Sequence, residues 1–80
     1  MGRAWKWKLS DFGWWTAEKD GFRGNLFVYE SHGAWCAKVE IVSADRTEMV
    51  HQSEGHGTCV HAKRAAEDAA EEAVRLRRKD

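Results

Sequence analysis

Eighty residues make one small domain, residues 1–80, and thirteen acidic against thirteen basic side chains leave no net charge, which excludes the global positive field typical of nucleic-acid binders. A chain without proline that is 32% charged and 42% hydrophobic has the composition of compact secondary structure, not of a disordered tail. No apolar run reaches the roughly 20 residues of a membrane span, and two cysteines are too few for a disulfide framework, so no membrane, reduced thiols and a cytoplasmic setting are expected.

In chain order, Trp5, Trp7 and Leu9 alternate with Lys6 and Lys8, the period of a half-buried strand, and residues 13–18 read as another. Asp20-Gly21 and Gly24-Asn25 mark turns around Phe22. Leu26 to Ser31 and Ala34 to Val42 are rich in β-branched and aromatic residues, and the intervening His32-Gly33 suits a tight hairpin. Pairing Ser31 with Ala34 puts Leu26, Val28, Trp35, Ala37, Val39 and Ile41 on a core face and Phe27, Tyr29, Cys36, Lys38 and Glu40 on the other. A turn through Ser43-Ala44-Asp45-Arg46 leads to a strand over 47–53, whose facing the loop leaves open, so Met49 and Val50 are both candidates for burial. These elements make residues 4–53 strand-rich.

A helix over about 59–79 follows, because Gly57-Thr58 supplies a turn and an N-cap hydroxyl, and the alanine-rich segment beyond holds no glycine or proline. Cys59, Ala62, Ala66, Ala69, Ala73 and Leu76 are spaced three and four apart and share one face of small side chains. Glu67, Asp68, Glu71 and Glu72 are expected on a solvated outer face, and the basic residues after them complement the helix dipole. The predicted fold class is therefore α+β, an antiparallel meander of about four strands with one C-terminal helix packed on one face.

Five tryptophans, three phenylalanines and one tyrosine exceed what one sheet face under an alanine-lined helix can enclose. Trp35 with Trp5 or Trp7 supplies bulk opposite the alanines, and the remaining rings fall on the bare face. Trp14, Trp15, Phe27 and Tyr29, beside Lys38 and Glu40, are the candidate contact residues for a protein partner, a host factor or a second copy in a homodimer, since exposed aromatics rimmed by charge mark association sites. The alternative is a nucleic-acid-binding or antitoxin-like domain, in which Arg3, Lys6, Lys8, Arg75, Arg77, Arg78 and Lys79 meet phosphate and tryptophans stack on bases.

His51, His56, Cys59 and His61 lie close in sequence, with Cys36 on an adjoining strand; Cys36, His56, Cys59 and His61 are the candidate zinc ligands, although their spacing lacks a C-x-x-C or H-x-x-x-H pair. No catalytic residue and no cofactor is expected: Cys59 beside His56 and His61 has the right chemical types for a nucleophile, but no third orienting group is evident.

The closing arrangement, a hairpin followed by Gly55-x-Gly57-Thr58 and a helix opening on Ala62, Ala65-Ala66 and Ala69-Ala70, resembles the ending of many small phage-encoded proteins, including some anti-CRISPR inhibitors, and more distantly the HicB-type antitoxin half-fold. The likeness covers residues 26–80 and is architectural. It implies a non-enzymatic inhibitor that occludes a host protein surface in the host-cell cytoplasm.

Overall fold

The computed structural model describes residues 5–78, and the side chains of residues 5–76. Five strands, β1 (Lys6–Leu9), β2 (Trp15–Glu18), β3 (Gly24–Ser31), β4 (Ala34–Val42) and β5 (Thr47–His56), precede one helix, α1 (Cys59–Arg78). The strands form one antiparallel sheet in sequential order, so the α+β meander holds with one strand more than the expected four.

The β3–β4 hairpin follows its sequence closely. His32 (φ 52°) and Gly33 (φ 80°) are both left-handed, the backbone that a two-residue turn matching strand twist requires. Ser31 pairs with Ala34 and the register runs unbroken to Gly24 opposite Ile41, placing the two faces as the alternation predicts. Pairing of β2 with β3 and of β1 with β2 then fixes the N-terminal strands: Trp7 lies across from Ala17 and Ala17 across from Leu26, on the core side.

Leu26, Val28, Val39 and Ala37 are fully buried against Ala62, Ala66 and Ala70 of α1. Burial at every fourth helix position differs from the expected stripe. Ala69 is only partly buried, Ala73 borders a groove beside β5, and Leu76 is exposed. Alanines on neighbouring faces leave the helix phase undetermined by hydrophobicity, and packing on the sheet selects it. Ile41 is half-buried outside the packed core, because its partner across the hairpin is Gly24, which offers no side chain to pack on. Thr58 caps the helix as expected, its Oγ1 accepting from the His61 backbone N–H at 3.1 Å.

Gly24 is required sterically. A Cβ there would run into the Glu40 carbonyl oxygen and come within 2.9 Å of the Phe22 ring, which itself packs edge-on to Trp5 with centroids 5.2 Å apart. Gly24→Ala is expected to destabilise the domain by about 1–3 kcal/mol, read from the urea midpoint, since backbone on one side and a packed ring on the other leave little room to relax.

Both sheet edges are blunted. β1 has four residues and carries Lys6 and Lys8. β5 is long but its register slips twice: Val39 pairs with His51 while Glu40 pairs with Met49, and Trp35 pairs with His56 while Ala37 pairs with Ser53. Bulges and lysines discourage strand addition at both edges.

Candidate functional site

Two surfaces come out of this topology. On the helix side, three tryptophans line up beside α1. Trp7 Nε1 donates to Glu67 Oε2 at 2.8 Å and Trp5 Nε1 to Glu71 Oε2 at 3.0 Å. The Lys63 ammonium lies 3.6 Å from the Trp15 ring centroid and 5.4 Å from that of Trp7. The spacing is geometric: two extended residues advance about 6.6 Å and four helix residues about 6.0 Å, so Trp5, just before β1, and Trp7, within it, meet successive turns of α1. Glu67 and Glu71 are therefore not part of a solvated outer face, as the acidic cluster suggested; they accept hydrogen bonds from the indoles of half-buried rings.

This ladder alters two further expectations. Trp15 stands on the helix side, opposite Val28, and is separated by the sheet from Trp14, so it does not belong to the exposed aromatic patch. Trp5 and Trp7 likewise face α1 while Lys6 and Lys8 point to the opposite side, so the interleaving of cation and indole in sequence does not produce one mixed surface. Among the other basic candidates, Arg75 is hydrogen-bonded to Glu72 at 2.7 Å. Arg77 and Arg78 lie in α1 beyond the described side chains, and Arg3 and Lys79 lie outside the described residues.

No described element covers the other face of the sheet. There Trp14 stacks on Tyr29, with centroids 4.6 Å apart and planes at 17°, and meets Phe27 edge-on at 5.9 Å. Lys38 reaches over the Phe27 ring at 5.9 Å and pairs with Glu40 at 3.6 Å. Trp14, Phe27, Tyr29, Lys38 and Glu40 are thus brought together as expected. Phe12, which the strand pattern passed over because it lies in the β1–β2 turn, joins them and is 91% exposed. With Ser10, Trp14, Thr16 and Phe27 it lines an apolar groove of about 470 Å³.

Ser10 builds this turn. Its Oγ accepts from the backbone N–H groups of Phe12 at 3.3 Å and Trp14 at 3.2 Å, its own N–H donates to the Trp14 carbonyl at 2.8 Å, and Gly13 adopts φ 85°. Ser10→Ala is expected to cost about 1 kcal/mol and to broaden the Trp14 indole resonance, because the Oγ bonds set the angle at which Trp14 leaves the turn.

The histidine cluster is a polar junction between β5 and α1. Ser53 Oγ lies 3.0 Å from His51 Nε2 and 2.8 Å from His56 Nε2, and the His56 and His61 rings meet edge to face at 5.1 Å. Cys36 sits buried on the open face, opposite Tyr29, whereas Cys59 packs against the core on the helix side, so the sheet itself separates Cys36 from His56, Cys59 and His61. Among the described residues no group of three or more histidine, cysteine, aspartate or glutamate side chains has metal-binding geometry. No described helix is long and apolar enough to cross a membrane. Comparison of the chain with protein-family models, curated proteins and solved structures gives no match.

Proposed function

We propose that this protein is a non-enzymatic protein-binding module that occludes a partner surface with its open sheet face, in the manner of a small phage-type inhibitor. The observation that carries the reading is the Trp14–Tyr29–Phe27 cluster, its rings packed on one another on a face that no described element covers, with Phe12 exposed beside it. Rigid aromatic side chains give large contact area at small entropic cost and dominate binding hot spots. The resemblance to anti-CRISPR-type inhibitors agrees with a surface-blocking role in a host cell, and self-association through the same face is the competing form of this reading.

Nucleic acid is the weaker alternative. Lys6, Lys8 and Lys38 share the open face with Glu18 and Glu40, so the face holds no continuous basic track for a phosphate backbone.

The test places a photo-cross-linking phenylalanine analogue at position 29 or, as control, at position 68 on the exposed side of α1. Position 29 is expected to capture a host protein, in competition with unlabelled wild type but not with Trp14→Ala. Capture that is equal at both positions, or that Trp14→Ala competes as well as wild type, overturns the proposal. Sedimentation at two concentrations identifies a second copy as the partner if mass rises with concentration. A fluorophosphonate probe is expected to leave Ser53 unmodified despite its two imidazole neighbours; labelling there would point to an acyl-transfer enzyme instead.

A further inference from the structure

We propose that the segment bound by the open face is acidic with one bulky apolar residue at its centre, a pattern of acidic-x-bulky-x-acidic in an extended stretch of a partner protein. This rests on the protein-binding reading above and adds the chemistry of the ligand.

The groove itself calls for hydrocarbon. Its floor is Thr16 and Phe27, one wall is Trp14, and the other is Phe12. Ser10 Oγ accepts two backbone hydrogen bonds, so among the lining groups only its O–H and the Thr16 hydroxyl offer polarity to a ligand. Trp14 cannot swing away without losing its stacking on Tyr29 and its edge contact with Phe27, which leaves the wall organised before anything binds. One aliphatic or aromatic side chain fits this description.

The charge around the groove is arranged by register. Lys8 pairs across to Thr16, Thr16 to Phe27, and Phe27 to Lys38, so these four residues form one row across four strands with the groove floor in the middle and a lysine at either end. Adjacent strands lie about 4.8 Å apart, which sets the two lysine backbones roughly 14 Å from each other. In an extended segment the residues two before and two after an anchor point the same way as the anchor and are separated by about 13 Å. Carboxylates at those positions therefore reach Lys8 and Lys38 while the central side chain fills the groove.

The neighbouring row limits the length of anion that can be accommodated. It carries Glu18 opposite Lys6, then Asn25 and Glu40, with Glu40 already bonded to Lys38 and Asn25. That row sets two carboxylates, Glu18 and Glu40, against the single lysine Lys6, whereas the row that crosses the groove holds two lysines and no carboxylate. Lys8 is exposed and has no ion-pair partner among the described residues, which makes it the stronger of the two cations. A short acidic segment fits within that row, and a polyphosphate strand would have to pass the carboxylates.

The experiment titrates isotopically labelled protein with three capped peptides, Glu-Ser-Phe-Ser-Glu, Gln-Ser-Phe-Ser-Gln and Lys-Ser-Phe-Ser-Lys, and with oligothymidylate, and follows amide and indole shifts. The acidic peptide is expected to bind about tenfold more tightly than the glutamine peptide and to shift Phe12, Trp14, Thr16 and Phe27, with the preference weakening in salt. A Lys8→Glu, Lys38→Glu double variant, folded by its thermal transition, is expected to reverse the order in favour of the lysine peptide. Equal affinity for all three peptides, or no shift with any of them, overturns the acidic-segment proposal and leaves the cross-linking result at position 29 to decide the broader one. Tighter binding of oligothymidylate on the same residues overturns both in favour of nucleic acid.

Discussion

Ala66→Leu is expected to lower the stability of this domain by about 3 kcal/mol, with a matching fall in the urea midpoint followed by circular dichroism. Ala66 is fully buried midway along α1, between Ala62 and Ala70, and faces a sheet surface on which Leu26, Val28 and Val39 are equally inaccessible. Small side chains on the helix let its backbone approach those bulky ones closely. Additional carbons at the centre of that contact must either lift α1 from the sheet or force neighbouring side chains out of their rotamers, and close-packed interiors yield little. A domain of this size has only about 5 kcal/mol or so to lose, so the variant should be substantially unfolded at moderate temperature. Val60→Leu, on the same helix but exposed to solvent, is expected to change stability by less than about 0.5 kcal/mol. Equal midpoints for the two variants would show that the alanine stripe does not set the distance between helix and sheet.

How much of this was legible in the sequence depended on whether one residue could fix a register. At the β3–β4 hairpin it could, because His32-Gly33 leaves only two residues for the turn and the alternation on either side then has a single phase. The helix start was equally plain, since a Gly-Thr pair before an uninterrupted alanine-rich run has a clear stereochemical meaning. Nothing comparable marks the first two strands. Trp14 and Trp15 are adjacent, so one must face each side of the sheet, and which one does depends on the hydrogen bonds of Ser10 and the left-handed Gly13 in the preceding turn. Helix phase was hidden for a different reason: Ala65, Ala66, Ala69, Ala70 and Ala73 are alike in hydrophobicity and spread over more than one face. The pairing of Glu67 and Glu71 with Trp7 and Trp5 joins residues far apart in sequence. Its one local signal was the match between an i,i+2 spacing of indoles and an i,i+4 spacing of acids.

Trp14→Ala and Trp15→Ala are expected to have opposite consequences although the residues are neighbours. Trp15 packs against the core with Lys63 over its ring at 3.6 Å, so its loss removes buried area and a cation–π contact together; about 2–3 kcal/mol of stability should disappear, measured by urea denaturation. Trp14 is 42% exposed and its partners are Tyr29 and Phe27 on the open face, so truncation should cost about 1 kcal/mol of stability. Binding should respond in the reverse sense. Trp14 stands at the centre of the aromatic cluster and forms a wall of the groove, and removing such an anchor should weaken the cross-linked partner by at least about 2 kcal/mol, or roughly 30-fold in Kd. Trp15→Ala, assayed at a temperature where the variant remains folded, should bind within about threefold of wild type, because the sheet lies between its site and the contact. Titration calorimetry against the partner identified at position 29 separates the cases. If Trp15→Ala weakens binding as much as Trp14→Ala while both remain folded, then the helix side of the sheet, and not the open side, makes the contact.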